Sequence, residues 1–120
     1  MRILFLLVFC LWSSVSFGQT FTTATANYVL TGCRTYLALI EGGPAEARYA
    51  IPMAFCEGSI DAVVSLSDNR LCIPRKVKEN QIVRVVIQYL DARPERHHES
   101  FALLALEALA AAWPCNTKSH

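Results

Sequence analysis

From Ala24 to Glu41 the apolar residues Val29, Leu30, Cys33, Tyr36, Leu37 and Ile40 recur at steps of one, three and four. That spacing lays one apolar stripe along a helix, with Thr22 or Thr23 as the expected N-cap. Gly42-Gly43-Pro44 then ends the helix, because glycine accepts the left-handed C-terminal geometry and proline cannot extend the ladder. A second helix is predicted over Ile51 to Ser67, with Pro52 in its first turn and Met53, Cys56, Ile60, Val63 and Val64 on one stripe. Ser67-Asp68-Asn69 breaks the pattern, and Leu71-Cys72-Ile73-Pro74 reads as extended, since the residue before proline avoids helical angles.

A third helix follows over Glu79 to Leu90, its stripe being Ile82, Val85, Val86, Tyr89 and Leu90. Asp91-Ala92-Arg93-Pro94 makes a turn, and a fourth helix is expected from Pro94 or Glu95 to Ala112, ended by Trp113-Pro114. Apolar on nearly every side after Phe101, it should be the central helix. Short loops imply antiparallel neighbours, so the expected fold is all-α, a compact up-down array of four helices.

The chain opens differently. Met1 and Arg2 precede an apolar run from Ile3 to Trp12, too short to span a bilayer, and Ser16 and Gly18 supply the small residues of a cleavage site. Residues 1–18 are therefore expected to be a signal peptide cut between Gly18 and Gln19, which leaves 19–120 as one exported, periplasmic domain. Cys10 does not make a lipid-anchor motif, because Phe9 precedes it. The remaining ten Lys and Arg balance ten Asp and Glu, without a block of either sign, so nucleic acid is not an expected partner. No later apolar run lacks charges over the length of a membrane span, so no membrane is expected to hold the chain after cleavage.

Removal of the leader also takes Cys10 and leaves Cys33, Cys56, Cys72 and Cys115, an even number in a chain bound for an oxidising compartment. In an up-down array Cys33 and Cys56 sit at one height on the first hairpin, and Cys72 before the third helix is level with Cys115 after the fourth. Two disulfides follow, Cys33 with Cys56 and Cys72 with Cys115, and with them no free thiolate for nucleophilic catalysis. The Cys-x-x-Cys and His-x-x-x-His spacings usual in structural zinc sites are absent from the sequence, and no cofactor is expected. Glu57 and Asp61 could form an acid pair but read as a solvated helix face. His97 and His98 diverge by about 100° on a helix, so one reads as a hydrogen-bonding residue and the other as solvent-facing. Gly58, costly inside a helix, suggests a close backbone, with the first helix near Gly32 as the expected neighbour. Trp113 should pack over the second disulfide.

Phe55-Cys56-Glu57-Gly58-Ser59-Ile60, then Cys72-Ile73-Pro74, Gln81, Val85-Val86, Tyr89-Leu90, Pro94-Glu95-Arg96-His97, Ala108-Leu109 and Trp113-Pro114-Cys115, resemble the Rap/Tai family of type VI secretion amidase immunity proteins. The likeness covers about Cys33 to Cys115. It implies a periplasmic, non-enzymatic helical protein, often a homodimer, that blocks the cleft of a cognate peptidoglycan amidase effector. Two positions depart from the family: Ser59 stands where an aromatic is usual, and Lys78 replaces a hydroxyl N-cap. The alternative is a general cell-envelope structural or stress-related domain of the same fold with no amidase partner. Three loops could meet a partner, Glu41 to Arg48, Ser67 to Lys76 and Asp91 to His98. The last two carry arginine, and Arg70, Arg93 and Arg96 are the expected partner-binding residues, dispensable to the fold.

Overall fold

The computed structural model describes residues 24–115; the expected leader, its cleavage point and the caps at Thr22 and Thr23 lie outside them. The fold is all-α: α1 Ala26–Ile40, α2 Ala50–Leu66, α3 Glu79–Asp91 and α4 Phe101–Ala112, with 3-10 turns at Ala47–Tyr49, Asp68–Arg70 and Pro94–Arg96. Both expected disulfides form, Cys33–Cys56 and Cys72–Cys115. The core gathers Val29, Leu30 and Cys33 of α1, Cys56 and Ile60 of α2, Val83, Val86 and Leu90 of α3, and Phe101, Leu104 and Leu109 of α4.

The helix directions correct the expected up-down order. The backbone of Thr25 bridges Ser100, so α1 and α4 start side by side. There each supplies what the other's first turn lacks: Ala26 and Asn27 donate N–H bonds to the carbonyls of Glu99 and His97, and Phe101 donates to that of Ala24. α2 also runs with α1, because positions in contact rise together: Gly32 abuts Pro52 and Met53, Cys33 joins Cys56, and Tyr36 shares a hollow with Ile60 and Asp61. Only α3 runs the other way, with Arg34 paired to Asp91 and Glu41 to Arg84. The physical reason lies in the first loop. From the level of Ile40 back to that of Gly32 is about 12 Å of helix rise, and residues 43–46 alone, between the turn at 41–42 and the 3-10 turn at 47–49, can span about 14 Å. The chain therefore returns along α1 before α2 begins.

Three further expectations change. α4 begins at Phe101, because Pro94 opens a 3-10 turn and the following residues are drawn into the Thr25–Ser100 bridge. The central place expected for α4 is shared, since α1 and α4 each touch the other three helices, and α4 leaves Leu103 half exposed. The close backbone approach belongs to Gly32, where an added Cβ would lie 2.2 Å from the carbonyl atoms of Pro52. At Gly58 an added Cβ would meet nothing within 4 Å.

Local capping follows from residue type. Thr25 is the N-cap of α1, and its carbonyl accepts the N–H of Val29. At the end of α1 Gly42 adopts φ 90°, which lets the N–H groups of Gly42 and Gly43 return to Leu39 and Ala38. Lys78 has no acceptor to cap α3, so Gln81 does half the task by accepting the Lys78 N–H at 2.9 Å.

Candidate functional site

The three arginines fall at two ends of the molecule. Arg70 closes the 3-10 turn Asp68–Arg70 beyond α2, at the end of the fold where Leu71 bridges Pro114. Arg93 and Arg96 lie at the opposite end, between α3 and α4. Arg70 is exposed, and no side-chain partner for it occurs among the described residues. Its turn is fixed on both sides. Upstream, the Ser67 hydroxyl donates to the Val63 carbonyl, and downstream Cys72 is bonded to Cys115 and donates its N–H to Trp113. Asp68 holds φ 27°, a left-handed conformation that aspartate tolerates better than most residues. Trp113 is partly buried against the core beside this bridge.

Arg93 and Arg96 are engaged within the fold. The Arg93 guanidinium stacks 3.8 Å over the Tyr89 ring and donates to the Tyr89 carbonyl. Arg96 donates to both carboxylate oxygens of Glu99, at 2.8 and 2.7 Å, and to both of Glu107, at 2.6 and 3.1 Å. The Tyr89 hydroxyl completes the cluster by donating to Glu107. Hydrogen bonds from Arg96 hold both carboxyls below the ordinary carboxylate range, and the two carboxylates raise the guanidinium further above its own. Arg96 thus ties the 91–100 connection to α4, which corrects the expectation that it is dispensable to the fold. His97 anchors the same connection through a ring nitrogen on the Leu90 carbonyl, while His98 is exposed.

A second acidic group surrounds Tyr36, whose hydroxyl donates to Glu79 with Glu57 and Asp61 lining the same hollow. Burial first, then the bond to Glu79 and the charge of Glu57, push the phenol up. No group of three or more metal-ligating side chains occurs among the described residues.

A groove of about 890 Å³ lies between α2 and α4 and ends at the Asp68–Arg70 turn. Phe55, Gly58, Ser59, Ala62 and Leu66 form one wall, and Ala102, Leu103 and Leu106 the other. It exists because Gly58, Ser59 and Ala62 are too small to fill the space between the helices. Periodicity marked the buried stripe of α2 and gave no sign of this one. The signal was present in residue size: apolar and small residues alternate along the side of α2 away from Cys56 and Ile60.

These features define a disulfide-stapled four-helix protein whose distinctive surfaces are a braced turn that presents Arg70 and an apolar groove. The chain belongs to the Rap1a immunity proteins, whose family profile matches residues 25–115. Comparison with curated proteins and with solved structures gives no match.

Proposed function

We propose that this protein is an exported, non-catalytic immunity protein of type VI secretion that binds a cognate peptidoglycan amidase and occludes its cleft, protecting the cell that makes it. The observation that carries the reading is membership of the Rap1a family over nearly the whole described chain. Export accords with the two disulfides, which persist in oxidising compartments. Residues 1–18 act as the leader, and 19–120 work in the periplasm as a homodimer.

The segment offered to the enzyme is the Asp68–Arg70 turn. A plug must lose little freedom on binding, and this turn is ordered in advance by Ser67 on one side and the Cys72–Cys115 bridge on the other. Arg70 supplies a guanidinium that has no side-chain partner among the described residues and suits a carboxylate or carbonyl at the cleft. Arg93 and Arg96 form a second, stiffer contact area at the far end.

The test has two parts, a search of the genes flanking this one for an exported amidase and calorimetric titration of the exported protein with that enzyme. Binding is expected, weakened by about 1 kcal/mol or more in Arg70→Ala, with the melting temperature unchanged. An unaltered affinity in that variant removes the turn from the interface. No binding by the wild type favours an envelope domain without an amidase partner.

A further inference from the structure

We propose that the Cys72–Cys115 bridge is a site of thiol–disulfide exchange, at which a dithiol opens the bridge in the folded protein and loosens the Asp68–Arg70 turn while the helical core stays intact. The exchange is independent of any partner; its consequence for binding rests on the reading of that turn as the segment offered to the enzyme.

The two disulfides occupy opposite environments. Cys33 and Cys56 are both 0% exposed, at the crossing of α1 and α2 beside Gly32, so a reductant reaches them only when the core opens. Cys72 is exposed and Cys115 half-buried, and neither belongs to the buried core. Exchange requires such access, because the attacking thiolate must reach a sulfur.

Charge favours the same bridge. Arg70, Arg75 and Lys76, all exposed, lie within four residues of Cys72, against one acid, Asp68, in the same range. A thiolate of the dithiol that attacks the Cys115 sulfur breaks the S–S bond and expels Cys72 as a thiolate among these cations, which stabilise it. The second thiolate of the reductant then attacks the mixed disulfide and expels Cys115. Two electrons and two protons pass to the cysteines from the dithiol, which becomes a disulfide.

The effect falls on the turn. Besides the sulfurs, the Leu71–Pro114 bridge joins the two segments, with the Cys72 N–H on the Trp113 carbonyl at 3.0 Å. Pairing of two strands alone is marginal in water. Without the disulfide the turn keeps its upstream tie, the Ser67 hydroxyl on Val63, and downstream has only that pairing and Leu71 packed against the core. α1 and α2 remain joined by Cys33–Cys56.

The test incubates the exported, disulfide-bonded protein with dithiothreitol, traps thiols with iodoacetamide at intervals and identifies the labelled cysteines by peptide mass spectrometry. Cys72 and Cys115 should be labelled together, about tenfold or more faster than Cys33 and Cys56, with the helical circular dichroism unchanged. Trypsin should then cut after Arg70 and Arg75 several-fold faster than in the oxidised protein. Labelling of all four cysteines at one rate, or loss of helix as Cys72 and Cys115 become labelled, overturns the proposal. The double variant Cys72→Ser, Cys115→Ser carries the test to the partner: its affinity for an exported amidase from the flanking genes should fall at least as far as that of Arg70→Ala. Weakened binding by Arg70→Ala with unchanged binding by the double variant overturns the control of binding by the bridge and leaves the role of the turn standing. Unchanged binding in both removes the turn from the interface and, with it, the consequence of the exchange for binding.

Discussion

Two mid-helix glycines should respond to the same substitution with opposite signs. At Gly32 the new methyl of Gly32→Ala would lie 2.2 Å from the carbonyl carbon and oxygen of Pro52 and 2.6 Å from the Met53 nitrogen. Carbon contacts settle near 3.5 to 4.0 Å, so α1 and α2 must part by more than about 1 Å. The Cys33–Cys56 bridge, one residue along, resists that movement. Overpacking of this kind costs up to about 3 kcal/mol, against about 1 kcal/mol gained from helix propensity. The net loss is about 2 kcal/mol, or roughly 8 to 16 °C in melting temperature for a domain near 100 residues. At Gly58 nothing obstructs the methyl, so Gly58→Ala should gain about 1 kcal/mol and roughly 4 to 8 °C. Thermal unfolding followed by circular dichroism, on disulfide-bonded protein dilute enough to be monomeric, reads both. A Gly32→Ala variant as stable as wild type would refute the close crossing of α1 and α2.

Cys115→Ala opens a loop closed across 43 residues, worth about 4 kcal/mol in chain entropy against about 3 kcal/mol for the shorter Cys33–Cys56 loop. Urea unfolding should therefore show the larger loss of stability in Cys115→Ala than in Cys33→Ala. The Arg96 cluster sets an acid limit. Glu99 and Glu107 titrate lower in the fold than in the unfolded chain, so their contribution is complete above about pH 4.3 and is lost as pH falls through their folded values. Melting temperatures taken across that range should fall more steeply for wild type than for Arg96→Met, and parallel curves would count against the cluster.

Helix content and disulfide partners were legible in the sequence, because stripes at helical spacing and glycine or proline stops are local signals. Direction was not. Nine residues after α1 can either turn or run back along it, and nothing in residues 41–49 distinguishes the two. The pairing of Cys33 with Cys56 was thus reached through an antiparallel hairpin that the fold does not contain, whereas Cys72 with Cys115 follows from the α3–α4 hairpin that it does. Pro94 predicts a helix start because proline suits a first turn, but the bridge between Thr25 and Ser100 is a long-range contact that no local pattern announces. Gly58 and Gly32 exchanged roles for the same reason, since the neighbour that requires a glycine is a tertiary fact. Arg70, Arg93 and Arg96 look alike as loop arginines; only the fold brings Glu107 of α4 to Arg96 and leaves Arg70 exposed.

The central claim is that the protein stops an amidase. Its most direct measurement takes an exported amidase found among the flanking genes and follows by chromatography the rate at which it cleaves cross-linked peptidoglycan peptides as the purified protein is titrated in. The account predicts that hydrolysis falls in proportion to added protein and ceases at one copy per enzyme. Hydrolysis that continues undiminished in large molar excess of the folded, disulfide-bonded protein would contradict it.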